Sequence, residues 1–91
     1  MDWRGDAMNN LIARVISVTS QYQPLAPGRL VATITLSAPP ANSHPVYLQG
    51  DTGQDVPLVP GEWHIFQRVN LAEIRLKGTA GDKVTVVGGT W

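Results

Sequence analysis

Apolar and polar positions alternate over residues 29–37, RLVATITLS. Leu30, Ala32, Ile34 and Leu36 fall on one side, and Arg29, Thr33, Thr35 and Ser37 on the other, with Val31 out of phase. A period of two is that of an extended chain with one buried face, so the segment is predicted to be a strand. The alternation returns near the end of the chain. In IRLKG (74–78), Ile74 and Leu76 read as inward and Arg75 and Lys77 as outward, and in KVTVVGG (83–89) Val84 and Val86 read as inward. The TAGD between them supplies a tight connection, so the two segments read as a hairpin. Gly88 and Gly89 then read as a flexible link to Trp91.

Other segments carry the same signal less cleanly. LIARVISVTS (11–20) is rich in Ile and Val, which are stiff at χ1 and favour strands. Asp6 offers a helix N-cap upstream, but the β-branched pairs around Arg14 and Ser17 favour a strand. VYLQ (46–49) reads as a short strand, and EWHIFQRV (62–69) as a longer one. In that longer strand Trp63 and Ile65 share one face, and His64, Phe66 and Arg68 the other. NLAEI (70–74) reads as one helical turn capped by Asn70. QYQPLAPG, APPANSHP, GDTGQD and VPLVPG are read as turns and corners between these segments. Short strands at this spacing predict an all-β fold, a small antiparallel sandwich or barrel of the jelly-roll or immunoglobulin-like kind. A polar N-terminal arm over residues 1–10 precedes a single β-domain over 11–91.

Size sharpens the picture. A chain of 91 residues is one domain that buries only about 60–65% of its unfolded surface, so a partner subunit or a docking surface is expected to add stability. There is no cysteine, which excludes disulfides and fits a reducing compartment, and His44 and His64 are too few for a histidine metal site. Net charge is zero and the basic residues are scattered singly, so no nucleic-acid footprint is present. No apolar run approaches the ~20 residues of a membrane helix, and MDWRGDAMNN is no export leader. A soluble chain that binds neither nucleic acid nor membrane is expected.

Candidate chemistry is thin. Asp51-Thr52-Gly53 matches the Asp-Thr-Gly of homodimeric aspartic proteases, in which two carboxylates share a proton. Gln49-Gly50 stands before it instead of an apolar strand, Gln54 follows, and no later flap or Gly-Arg-Asp signature appears, so a surface turn is the better reading. Asp51, Asp55 and Glu62 lack the dense ladder of a calcium loop and read as solvated acids. Ser43 and His44 read as polar filling of a proline-flanked loop, and His64 as a surface or interface residue. Gly88-Gly89 has no following lysine or helix to make a phosphate loop. Arg4-Gly5-Asp6 spells the integrin tripeptide, a match too short to carry function. No catalytic residue, cofactor or metal is expected.

The second half of the chain carries a broader pattern. Pro57-Leu58-Val59-Pro60-Gly61-Glu62 leads into a strand, then Val69-Asn70-Leu71-Ala72-Glu73-Ile74, then Lys77-Gly78-Thr79-Ala80-Gly81-Asp82-Lys83-Val84-Thr85-Val86. This resembles small virion structural proteins of tailed bacteriophages, in which a "PL-x-PGE" corner, a "(D/N)-L-x-x-I" step and a "G-x-AGD-x-V-x-V" hairpin follow one another. The resemblance covers residues 46–91, with Asn70 where Asp is usual. It implies a particle component made in the host cytoplasm. Within that class it points to a capsid decoration, or cement, protein on the head exterior, bound to the major capsid protein or other virion subunits as a homo-oligomer, with a trimer the expected number. A tail, baseplate or head-fibre part is the alternative within the class, and a carbohydrate-binding module the alternative outside it.

In each piece the residues do structural work. Pro60-Gly61 sets a corner, Leu71 and Ile74 can plug an open end of the sandwich, Gly81 turns the chain, and Asp82 can bond nearby amides. Tryptophan is enriched at interface hot spots. Trp3, Met8, Trp63, Phe66 and Trp91 are therefore the expected contact residues.

Overall fold

The computed structural model describes residues 10–91. Trp3, Met8, the Arg4-Gly5-Asp6 tripeptide, the Asp6 cap and nearly all of the expected N-terminal arm lie outside these residues. Asn10, the last position of the expected arm, already belongs to the first strand.

The described chain is all-β. Its strands are β1 (Asn10–Ser17), β2 (Gln23–Pro24), β3 (Val31–Ser37), β4 (Val46–Gln49), β5 (Asp55–Leu58), β6 (Trp63–Asn70), β7 (Arg75–Lys77) and β8 (Lys83–Thr90), with a 3-10 turn over Leu71–Glu73 between β6 and β7. They form two four-stranded sheets, β1-β8-β3-β6 and β2-β7-β4-β5. Within them β1 pairs with β8, β2 with β7, β3 with β6 and β4 with β5, all antiparallel. The connections pair in the same order. Val18 N donates to Asp82 O, Gly78 N to Thr19 O, Leu25 N to Ile74 O, Leu71 N to Leu30 O, and Gly61 N to Ala38 O. The chain is thus one long two-stranded ribbon, closed on itself where β3 meets β8 and β4 meets β7. A ribbon wound so that alternate rungs fall on opposite sheets is a jelly roll, which decides among the sandwich and barrel forms expected from the sequence.

The core lies between the sheets. Ala32, Ile34 and Leu36 of β3 and Val84 and Val86 of β8 are buried, facing Val46, Leu58 and Leu76 of the second sheet across a layer that also takes in Ile12, Leu71 and Ile74. The alternation read in residues 29–37 is the observed one, except that the strand starts at Val31 and Leu30 is half-buried beside the core. Asn70 caps the 3-10 turn as expected: its Oδ1 accepts from Ala72 N at 3.1 Å, and it accepts again from Leu30 N at 3.1 Å. Gly61 and Gly81, with φ of 92° and 99°, turn the two corners expected to need glycine.

Three readings are corrected. IRLKG and KVTVVGG form no hairpin: β7 pairs with β2 and β4 and β8 with β1 and β3, so the TAGD turn carries the chain from one sheet to the other. VPLVPG is more than a corner, because Asp55–Leu58 is a strand. Pro57 is tolerated there because β5 is an edge, where a missing N–H costs no ladder bond. Gly88-Gly89 is no flexible link: both residues lie inside β8, paired to β1 on one side and β3 on the other.

Candidate interaction surface

The outer face of the β1-β8-β3-β6 sheet is built from rows of facing residues. Val15, Thr85, Ser37 and Trp63 make one row, Ala13, Val87, Thr35 and Ile65 the next, and Leu11, Gly89 and Thr33 a third. Leu11, Val15, Trp63, Ile65 and Val87 are each more than half exposed, from 54% for Val87 to 80% for Leu11. Three of the hydroxyls between them are occupied. Ser37 Oγ and Thr85 Oγ1 bond each other at 2.6 Å, and Thr33 Oγ1 accepts from Arg68 N at 3.1 Å. The face is therefore apolar and partly self-satisfied, so a partner can cover it with little loss of bonds to water.

Charge appears on this face at its two ends. Lys83 faces Ser17 in the row past Val15 and Thr85, and Arg68 stands at the opposite corner. A bulge puts Arg68 there. Ala32 faces Val69 and Ile34 faces Phe66, so Gln67 and Arg68 share the space opposite Thr33, and Arg68 takes a φ of 52°. Two residues against one is the definition of a bulge, and it re-aims a side chain. The Arg68 guanidinium lies 4.7 Å from the centroid of the Trp91 ring, a cation–π stack that ties the C-terminal residue to the sheet corner.

The outer face of the second sheet is different in kind. The Tyr22 hydroxyl donates to Asp55, Lys77 Nζ lies 3.2 Å from the same carboxylate, and Lys77 sits 4.7 Å from the Tyr22 ring centroid. Desolvation, with help from Asp55, pushes the Tyr22 phenol up to about 12. The Tyr22 hydrogen bond, followed by that from Lys77, holds Asp55 below its ordinary value. Asp55 is thus paired and not merely solvated, and Arg75 is exposed beside the group on β7. One sheet presents a wet, charged face and the other a dry one.

Elsewhere the polar groups hold loops. Asp82, a buried carboxylate, accepts from Ser43 N at 2.9 Å and His44 N at 3.0 Å, and its Oδ2 meets His44 Nδ1 at 3.2 Å. Ser43 and His44 are therefore more than filling: they anchor the β3–β4 loop to the β7–β8 turn. Asp82 bonds these distant amides in addition to closing the turn between the two sheets, where its own N–H donates to Thr79 O. Those bonds, the one from Ser43 N foremost, hold the Asp82 carboxyl below the usual aspartate value of 3.8. A depressed native value stabilises the fold above 3.8, and this contribution is lost as pH falls through the lower native value. Asp82→Asn is expected to melt below the wild type at pH 7, with the gap closing as the medium is taken well below pH 3.8. Thermal unfolding followed by circular dichroism across that range checks it. Glu62 accepts from Val59 N at 3.0 Å and meets His64 Nε2 at 2.6 Å, closing the corner before β6.

The expected contact residues are divided between sites. Trp63 is on the dry face and Trp91 at its corner. Phe66 is on the opposite side of β6, half-buried against the core. There it lines a groove of about 360 Å³ with Leu48, Val69 and Ile74. Leu11, Val15 and Val87 were not singled out from sequence, although Ile65 was read as sharing a face with Trp63. Asp51, Thr52 and Gly53 form an exposed turn between β4 and β5, with Gly53 at φ 90°. Among the described residues no group of three or more His, Asp or Glu is placed to hold a metal ion, and no helix is long and apolar enough to cross a membrane.

No family model, curated protein or solved structure matches this chain. What it does must be argued from the face it exposes.

Proposed function

We propose that this chain is a structural component of a tailed-phage virion, a decoration protein that docks on the major capsid protein at the head exterior and stabilises the shell. It acts by fit and carries out no reaction. The observation that carries the reading is the dry outer face of the β1-β8-β3-β6 sheet. Leu11, Val15, Trp63, Ile65 and Val87 are exposed there together, with cations at either end. A contiguous exposed apolar patch marks an interaction site. Lys83 and Arg68 at its ends fit a partner surface whose apolar centre is flanked by carboxylates, since complementary charge steers encounter and fixes register. The jelly-roll wrap supports the reading by analogy alone, because viral shell proteins and lectins both use it. A docked partner also stabilises the folded chain by mass action, which suits a domain of this size.

Co-sedimentation tests the proposal. Purified chain is mixed with isolated heads, and separately with isolated tails, of the phage that encodes it. The expected result is saturable pelleting with heads alone. Pelleting with tails alone moves the chain to a tail or baseplate role. Binding to host polysaccharide with quenching of Trp63 fluorescence, and to neither particle, replaces the reading with carbohydrate recognition.

A further inference from the structure

Among the described residues β1 has one neighbouring strand, β8, and its other edge is open over the whole length Asn10–Ser17. The other three edges are blunted. β2 is two residues long and ends in Pro24, β5 is four residues long with Pro57 inside it, and β6 is interrupted by the Arg68 bulge. Short edges, proline and bulges are the devices that stop strands from pairing with other chains. β1 has no proline, no glycine and no bulge, and pairs with β8 without a register shift. Its one guard is Arg14, a charge on the core-facing side opposite Val86, and the rest of the edge is a template for another strand.

We propose that β1 pairs antiparallel with β1 of a second copy about a two-fold axis at Ala13, joining two β1-β8-β3-β6 sheets into one continuous sheet. The choice of partner comes from the strand's self-complementarity. A two-fold axis normal to the sheet keeps outer faces on the same side, so outward residues must meet outward residues. Centring on Arg14 sets two guanidinium groups directly opposite each other, which is destabilising. Centring on Ile12 leaves Val15, Ile16 and Ser17 unpaired. Centring on Ala13 sets Leu11 opposite Val15 of the second copy, and Val15 opposite Leu11. These are the two most exposed large apolar side chains, at 80% and 67%. It also sets Arg14 opposite Ile12 and diagonal to its own mate. Net charge of zero leaves no overall repulsion between copies. The dry face becomes one surface spanning both copies. The inference stands without the virion reading, because it uses the edge of the sheet and not its docking target.

The chain contains no cysteine, so a single introduced one reports on the axis. Directly facing residues in an antiparallel pair have Cα atoms about 4.5–5.5 Å apart, within the roughly 4.4–6.8 Å of a disulfide. Full-length Ala13→Cys is expected to oxidise to a covalent species of twice the 9.8 kDa chain mass. Thr35→Cys, in the middle of the same outer face, is expected to stay single. In sedimentation equilibrium Leu11→Lys/Val15→Lys, which sets lysine against lysine, is expected to weaken self-association at least about tenfold. Leu11→Glu/Val15→Lys, which sets opposite charges face to face, is expected to restore it. A wild type that is monomeric up to about 1 mM, a trimer of the kind the phage resemblance implies, or equal cross-linking of the two cysteine variants overturns the proposal.

Discussion

Gly88→Ala is expected to lower the melting temperature by about 15 °C and to cost about 3 kcal/mol of folding stability. Gly88 lies in β8 opposite Ile12 of β1 and Ile34 of β3, on the side of the sheet that faces the core. A Cβ there meets the Thr33 carbonyl oxygen well inside van der Waals contact and lies 2.7 Å from Ile34 Cα. Both atoms are backbone of the neighbouring strand, so no rotamer change relieves the clash. Either β3 and β8 separate, breaking ladder bonds beside Ile34 and Leu36, or the sheet bends around the new methyl. Overpacking costs about 1–3 kcal/mol in general, and an immovable neighbour puts this case at the upper end. A domain of this length has only about 5–14 kcal/mol in total. The control is Gly28→Ala, where an added Cβ meets nothing within 4 Å. There the change is expected to be within about 0.5 kcal/mol. Calorimetry on the two variants checks the pair. Equal melting temperatures would mean that β3 and β8 do not approach this closely.

Gly88 also shows what a sequence reading can and cannot reach. A Gly-Gly pair near a chain end looks like loose linkage, because the reason for the missing side chain is a backbone from residues 33–34, far away in sequence. The same holds for Asp82, whose partners Ser43 and His44 come from a loop that its own turn does not identify. It holds too for the TAGD turn, which reads as a hairpin because nothing local shows that its two strands belong to opposite sheets. β5 was hidden because Asp55 and Pro57 are poor strand residues until one knows that the strand is an edge. Local periodicity, by contrast, was enough for β3, β7, β8 and the Asn70-capped turn, because burial on one face dictates the pattern directly. The interaction surface falls between these cases. Trp63 and Ile65 were assigned to one side of β6 correctly. Leu11, Val15 and Val87 were not, because an apolar residue beside buried neighbours looks like core until the sheet order shows which side is covered.

Val87→Lys and Ile65→Lys, singly, are expected to weaken binding to phage heads at least about 100-fold while leaving the jelly roll folded. The two residues share the central row of the dry face with Ala13 and Thr35, and both are more than half exposed in the free chain. Exposure makes the substitutions tolerable for folding, with a cost of about 1 kcal/mol or less from lost strand propensity. Docking changes that balance. A lysine at the centre of a desolvated apolar contact leaves water without finding a partner, and hot-spot residues cluster in that fully buried centre. Lys83 and Arg68 already supply cations at the ends of the face, so a third in the middle also disturbs the charge complementarity proposed for the docked partner. The matched control is Gln49→Lys on β4, which adds the same charge to the second sheet. It is expected to bind heads as the wild type does. If Gln49→Lys releases the chain from heads and Val87→Lys does not, the charged sheet around Tyr22, Asp55 and Lys77 is the docking face, and the dry sheet must be covered by something else.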